Sequence, residues 1–72
     1  MTYIRVLPWY KQTFKDREKH LLMQMEKYFI AAKEAEHKVM IIAMELPPKE
    51  TENKLHKLAK KYKVSLTIKK EV

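Results

Sequence analysis

The sequence predicts an α/β domain in the order β-α-β-α-β, with a small three-stranded, mostly parallel sheet and two helices, one of them long. Three observations predict it. The runs TYIRVL, VMIIAMEL and VSLTIKK are rich in β-branched and aromatic residues, as strands are. Two segments of helical apolar spacing lie between them. Strands joined through helices favour parallel neighbours and right-handed connections. Residues 1–72 are read as one α/β domain, with no repeat, linker or low-complexity segment.

The first strand, Thr2 to Leu7, alternates roughly and stops at Pro8. Ile4 and Val6 point one way, and Tyr3, Arg5 and Leu7 the other. From Trp9 to His37 there is neither Pro nor Gly, so one long helix is the simplest reading. Thr13 followed by Asp16 resembles a capping box and would start the regular helix near Phe14, while Pro8 would allow an earlier start. On a helical wheel Phe14, Leu21, Met25, Tyr28, Ala32 and Ala35 form one stripe, flanked by Leu22 and Phe29. A helix over 14–37 would be roughly 35 Å long against about 20 Å for a six-residue strand, so it should overhang its sheet through the turns KDREKH.

The second strand is VMIIAMEL, Val39 to Leu46, with one charge in eight residues. A second helix enters through Pro47-Pro48, with Glu50 and Glu52 suiting the positive end of its dipole. Leu55, Leu58, Ala59 and Tyr62 make its apolar stripe. The last strand, Val64 to Lys70, buries Val64, Leu66 and Ile68. With no glycine anywhere, the helix ends must place another residue in the left-handed region that a C-terminal cap commonly uses, and Lys63, His37 or Lys38 are the candidates.

The most apolar strand belongs in the centre, which predicts the sheet order 1-2-3 with both helices on one face. The rival order, 2-1-3, puts a helix on each face. In the first arrangement the open face presents Tyr3, Arg5, Leu7, Ser65, Thr67 and Lys69, together with either Met40, Ile42 and Met44 or Val39, Ile41 and Ala43. Met23 and Ile30, seven residues apart, lie nearly opposite the main stripe of the long helix. Contiguous exposed apolar residues mark interaction sites, whereas single ones mean nothing. A chain this short buries only about 60% of its unfolded surface, and the absence of cysteine removes disulfides as a staple. The sequence therefore predicts self-association, most simply a homodimer. The partner interface is placed on Tyr3, Leu7, Met23, Ile30, Met40, Ile42 and Met44.

The chemistry of enzymes is thinly represented, and the chain is read as non-enzymatic, without cofactor or metal. There is no Cys, one serine (Ser65) inside a strand, one aspartate, and no glycine for a phosphate loop or a nucleophile elbow. Glu34-x-x-His37 has di-metal spacing, but the further inward carboxylates such sites need are not apparent. His37 is better explained by the dipole at a helix C-terminus.

Charge points to partners. The net charge is +7, and residues 47–72 hold eight of the 16 basic side chains but three of the nine acidic ones. Lys54, Lys57, Lys60, Lys61, Lys63 and Lys69 form the alternative, nucleic-acid-binding reading, with Lys70 extending it and Tyr3, Trp9 and Tyr10 available to stack on bases. The plain reading of the same lysines is solubility. Lysine outnumbers arginine 14 to 2, although bidentate recognition of bases and phosphates favours arginine. No nucleic-acid-binding motif is present. A protein partner is favoured, because apolar residues left over are the sharper signal and methionine surfaces adapt to partners. Trp9 and Tyr10 could anchor such an interface, though Trp9 better suits a place capping the end of the small core. No apolar run approaches a membrane span, the N-terminal residues lack a signal-peptide core, and the cysteine-free composition suits a reducing compartment. The expectation is a cytoplasmic regulatory or adaptor protein.

Overall fold

A computed structural model describes residues 1–71. The elements in chain order are β1 (Thr2–Leu7), α1 (Lys11–Asp16), α2 (Glu18–Glu34), β2 (Lys38–Ala43), α3 (Lys49–Lys61) and β3 (Leu66–Lys70). The three strands form one sheet in the order β1-β2-β3, parallel throughout. The α/β class and the 1-2-3 order follow the sequence reading.

All the helices pack into a single core on one face of that sheet. Leu21, Met25, Phe29 and Ala32 of α2 and Leu55 and Ala59 of α3 are buried with Val39, Ile41 and Ala43 of β2. Leu7 and Phe14 close one end of the core, and Val64 joins it from the α3–β3 turn. Phe29, placed on the flank by the wheel, is wholly buried, while Ala35 is exposed.

The single long helix is corrected to two. Arg17 leaves helical geometry (φ −113°, ψ 17°), although its N–H still reaches Thr13 O and its carbonyl accepts from Leu21 N. No Pro or Gly marks the break. Phe14 is fully buried against the edge of Trp9, with ring centroids 5.3 Å apart, and the Trp9 carbonyl accepts from Glu45 N just after β2. The first segment is thus docked on the end of the core instead of overhanging it. Thr13 lies inside α1, and Asp16 accepts from Gln12 Nε2 at 3.0 Å, so the capping box is not formed.

Both long helices end alike. Glu36 and Lys63 have φ of 57° and 56°. Behind α2, Glu36 N bonds Lys33 O and His37 N bonds Ala32 O; behind α3, Lys63 N bonds Lys60 O and Val64 N bonds Ala59 O. These are paired Schellman bonds, with buried Val64 packed beside buried Ala59 as the motif favours. Lys63 is where the sequence puts it; in the other turn the left-handed residue is Glu36, one place before His37. β3 starts after its turn at Leu66, two residues later than the β-branched run suggests, and β2 runs from Lys38 to Ala43, short of the expected Leu46.

One facing is reversed. In register Tyr3 lies opposite Val39, Arg5 opposite Ile41 and Leu7 opposite Ala43, so these three share the helix-covered face. Leu7 is 3% exposed in the core, and Tyr3 meets the His37 ring edge-on at 4.4 Å. Neither belongs to the open face that the sequence reading assigned them. Leu7 buries on this side, and Arg5 is accommodated beside it: its guanidinium lies over the Tyr28 ring at 5.0 Å and donates to the Tyr28 hydroxyl, so a charged residue occupies the covered side.

Candidate interaction surfaces

The reversal leaves Ile4 and Val6 on the open face. The register places Ile4 beside Met40 and Thr67, and Val6 beside Ile42 and Lys69, in two rows across the three strands. Ile4 and Val6 are 59% and 60% exposed. Met40 and Ile42 are half-buried only because edge strands flank them, and Met44, just past β2, is half-buried as well. All-parallel sheets occur almost exclusively with both faces covered. Here no helix among the described residues lies on this side. Its charged members, Lys38 and Lys69, stand at the margin of an apolar centre.

A second surface lies between α2 and α3, an open groove of about 420 Å³. Leu22, Met23 and Leu58 form its floor, and Lys19, Lys57 and Lys61 its rim. Two polar links hold the helices together across it. Lys54 Nζ pairs with Glu18 Oε1 at 2.8 Å, and the Tyr62 hydroxyl donates to Glu26 Oε1 at 2.8 Å. The Glu18 hydrogen bond, followed by its charge, raises Lys54 above the ordinary lysine value despite some desolvation. The Glu26 hydrogen bond, then burial, then the carboxylate's charge raise Tyr62. Met23, 60% exposed, is the prominent apolar group here, and Ile30, 42% exposed, follows two turns later along α2.

The structure therefore separates residues that the sequence reading grouped. Met40, Ile42 and Met44 belong to the sheet face, and Met23 to the helical groove on the other layer. The lysines are divided too: Lys54, Lys57 and Lys61 line the groove, and Lys63 lies in a recess beside Lys33, Lys38 and His37 where the helices end. Lys69 is on the sheet face, and Lys70 on the opposite side of the same strand. No single basic face contains all six. Lys19 was missed, although its spacing four residues before Met23 was a legible signal. His37 Nδ1 is buried without a hydrogen-bond partner among the described residues, and no three His, Cys, Asp or Glu side chains there come together. No helix among them is long and apolar enough to cross a membrane.

No protein-family model matches this chain, and no curated protein or solved structure matches it either.

Proposed function

We propose that this chain is a small, non-enzymatic, basic regulatory or adaptor protein of the cytoplasm that self-associates and binds a protein partner. The observation that carries the reading is the bare apolar face of an all-parallel sheet: Ile4, Val6, Met40 and Ile42 with no covering layer. A second copy of the chain is the occupant that matches it in size and character. A two-fold axis would set the exposed row of Ile4 and Val6 across the Met40–Ile42 row of its mate. The helical layer then faces outward and is free to meet the partner protein.

Light scattering over a range of concentrations tests the self-association. The expected result is a dimer that becomes monomeric in Ile4→Lys and Val6→Lys, with helical circular dichroism retained because both side chains are already exposed. A wild-type chain that stays monomeric at high concentration would refute it.

The second reading, nucleic-acid binding, draws on the row of Lys54, Lys57 and Lys61 along α3. It ranks below the first because Lys54 is engaged by Glu18 and the remaining basic residues are spread over other faces.

A further inference from the structure

We infer that the groove between α2 and α3 receives an acidic amphipathic helix of the partner protein. The inference rests on the protein-partner reading and supplies the chemistry of that partner.

Two features of the groove converge on this occupant. Its floor is apolar, with Met23 standing well out of the surface and Leu22 and Leu58 half-buried beside it. Its rim is cationic on both sides, with Lys19 from α2 facing Lys57 and Lys61 from α3. Among the described residues none of these three lysines forms an ion pair. Of the nearby carboxylates Glu18 is paired with Lys54, while Glu26 also lines the groove and keeps its charge as it accepts from the Tyr62 hydroxyl, so the lining is net positive. The rim is therefore a set of unneutralised positive charges around a greasy trough.

An amphipathic helix lays residues at i, i+4 and i+7 into such a trough, and the residues flanking that line stand over the rim. Leucines on the line would cover Met23, Leu22 and Leu58. Glutamates beside it would meet Lys19 on one side and Lys57 and Lys61 on the other, the charge complementarity that steers encounter and fixes register. A phosphate backbone would use the rim but has nothing to bury on the floor.

The test uses the full chain and a fluorescent peptide with leucines at i, i+4 and i+7 among glutamates. Two comparison peptides replace the leucines with serine or the glutamates with lysine. Duplex DNA and phosphatidylglycerol vesicles complete the set. The expected result is micromolar binding of the Leu/Glu peptide, weakened about tenfold or more in each comparison peptide and by either Met23→Ser or Lys57→Glu. The double variant Lys57→Glu/Lys61→Glu should instead gain affinity for the Leu/Lys peptide. Equal binding of the serine peptide, indifference to Met23→Ser, or tighter binding of DNA or vesicles through the same residues would overturn the inference. Met23, Lys57 and Lys61 are exposed, so the variants keep the fold. Light scattering on the same samples keeps the two readings apart. Loss of peptide binding with the dimer intact removes the groove alone, and peptide binding by a monomer leaves the groove standing while self-association falls.

Discussion

Tyr62, at the C-terminal end of α3, donates its hydroxyl to Glu26 Oε1 in the middle of α2 at 2.8 Å, spanning 36 positions of sequence. With the Lys54–Glu18 pair it holds the two helices at a fixed separation over the groove. A clamp of this kind has a signature in the pH dependence of stability. The Glu26 hydrogen bond, burial and the carboxylate's charge all raise the Tyr62 phenol above 10.0. The folded chain then keeps a proton that the unfolded chain has lost, so the stabilisation is complete below pH 10.0 and disappears as pH climbs through the raised value. Lys54, raised above 10.5 chiefly by its hydrogen bond to Glu18, acts in the same direction. Urea unfolding between neutral pH and about pH 11 should show wild-type stability falling. Tyr62→Phe should be less stable at neutral pH and lose less on the alkaline side, with Lys54 still contributing to the loss. An unchanged alkaline slope in Tyr62→Phe would show that the phenol carries none of it.

The left-handed positions give a prediction of opposite sign. Glu36 and Lys63 each carry a Cβ where φ is near +57°, a conformation that glycine enters without steric cost. Lys63→Gly should stabilise the protein by about 0.5–1 kcal/mol, since the gain in the turn exceeds the added freedom of the unfolded chain. Glu36→Gly should behave likewise. His37→Gly should not, because His37 follows the left-handed residue and its ring packs on Tyr3. Thermal melts of the three variants check the ordering.

These turns also show what could be read in advance. A glycine-free chain must cap its helices with something else, so Lys63 was legible from composition and spacing together. The apolar stripes and the central strand were legible for the same reason: burial imposes a period, and the period survives in the residues. The kink at Arg17 was not, because no Pro or Gly marks it and the segment before it is tied to the residue after β2 by the Trp9–Glu45 hydrogen bond, a long-range link with no local trace. The facing of β1 was illegible on similar grounds. TYIRVL has apolar residues on both faces, and its facing goes with distant partners, the core around Leu7 and the Tyr28 ring beneath Arg5. As a consequence the open face carries Ile4 and Val6, where alternation alone points to Tyr3 and Leu7.

Lysine placement bears on nucleic acid. If a protein is the partner, the chain should bind duplex and single-stranded DNA no better than non-specifically, with dissociation constants of about 10⁻⁴–10⁻⁶ M near physiological salt. Lys60→Glu, a change outside the α2–α3 groove, should then weaken that binding about as much as Lys57→Glu. A tight complex whose affinity falls steeply with salt and depends on Lys57, Lys60 and Lys61 together would transfer the assignment to the alternative.

Ile41 and Ile42 are successive residues of β2 that sample the two faces of the sheet, and they separate core packing from association. Ile41 is fully buried beneath the helices. Ile41→Val removes one methylene from that core and should cost about 0.5–1.5 kcal/mol at every protein concentration. Ile42 points to the uncovered face and is half-buried by its neighbours. Ile42→Thr keeps the β-branched shape that suits a strand, so in an isolated chain its effect should stay within roughly 0.5 kcal/mol. In a dimer the same change weakens an interface that stabilises the folded state by mass action. The melting temperature of Ile42→Thr should therefore fall below that of the wild type at high concentration and converge on it as dilution dissociates both. A melting-temperature difference for Ile42→Thr that stays constant on dilution would mean that its face meets only water.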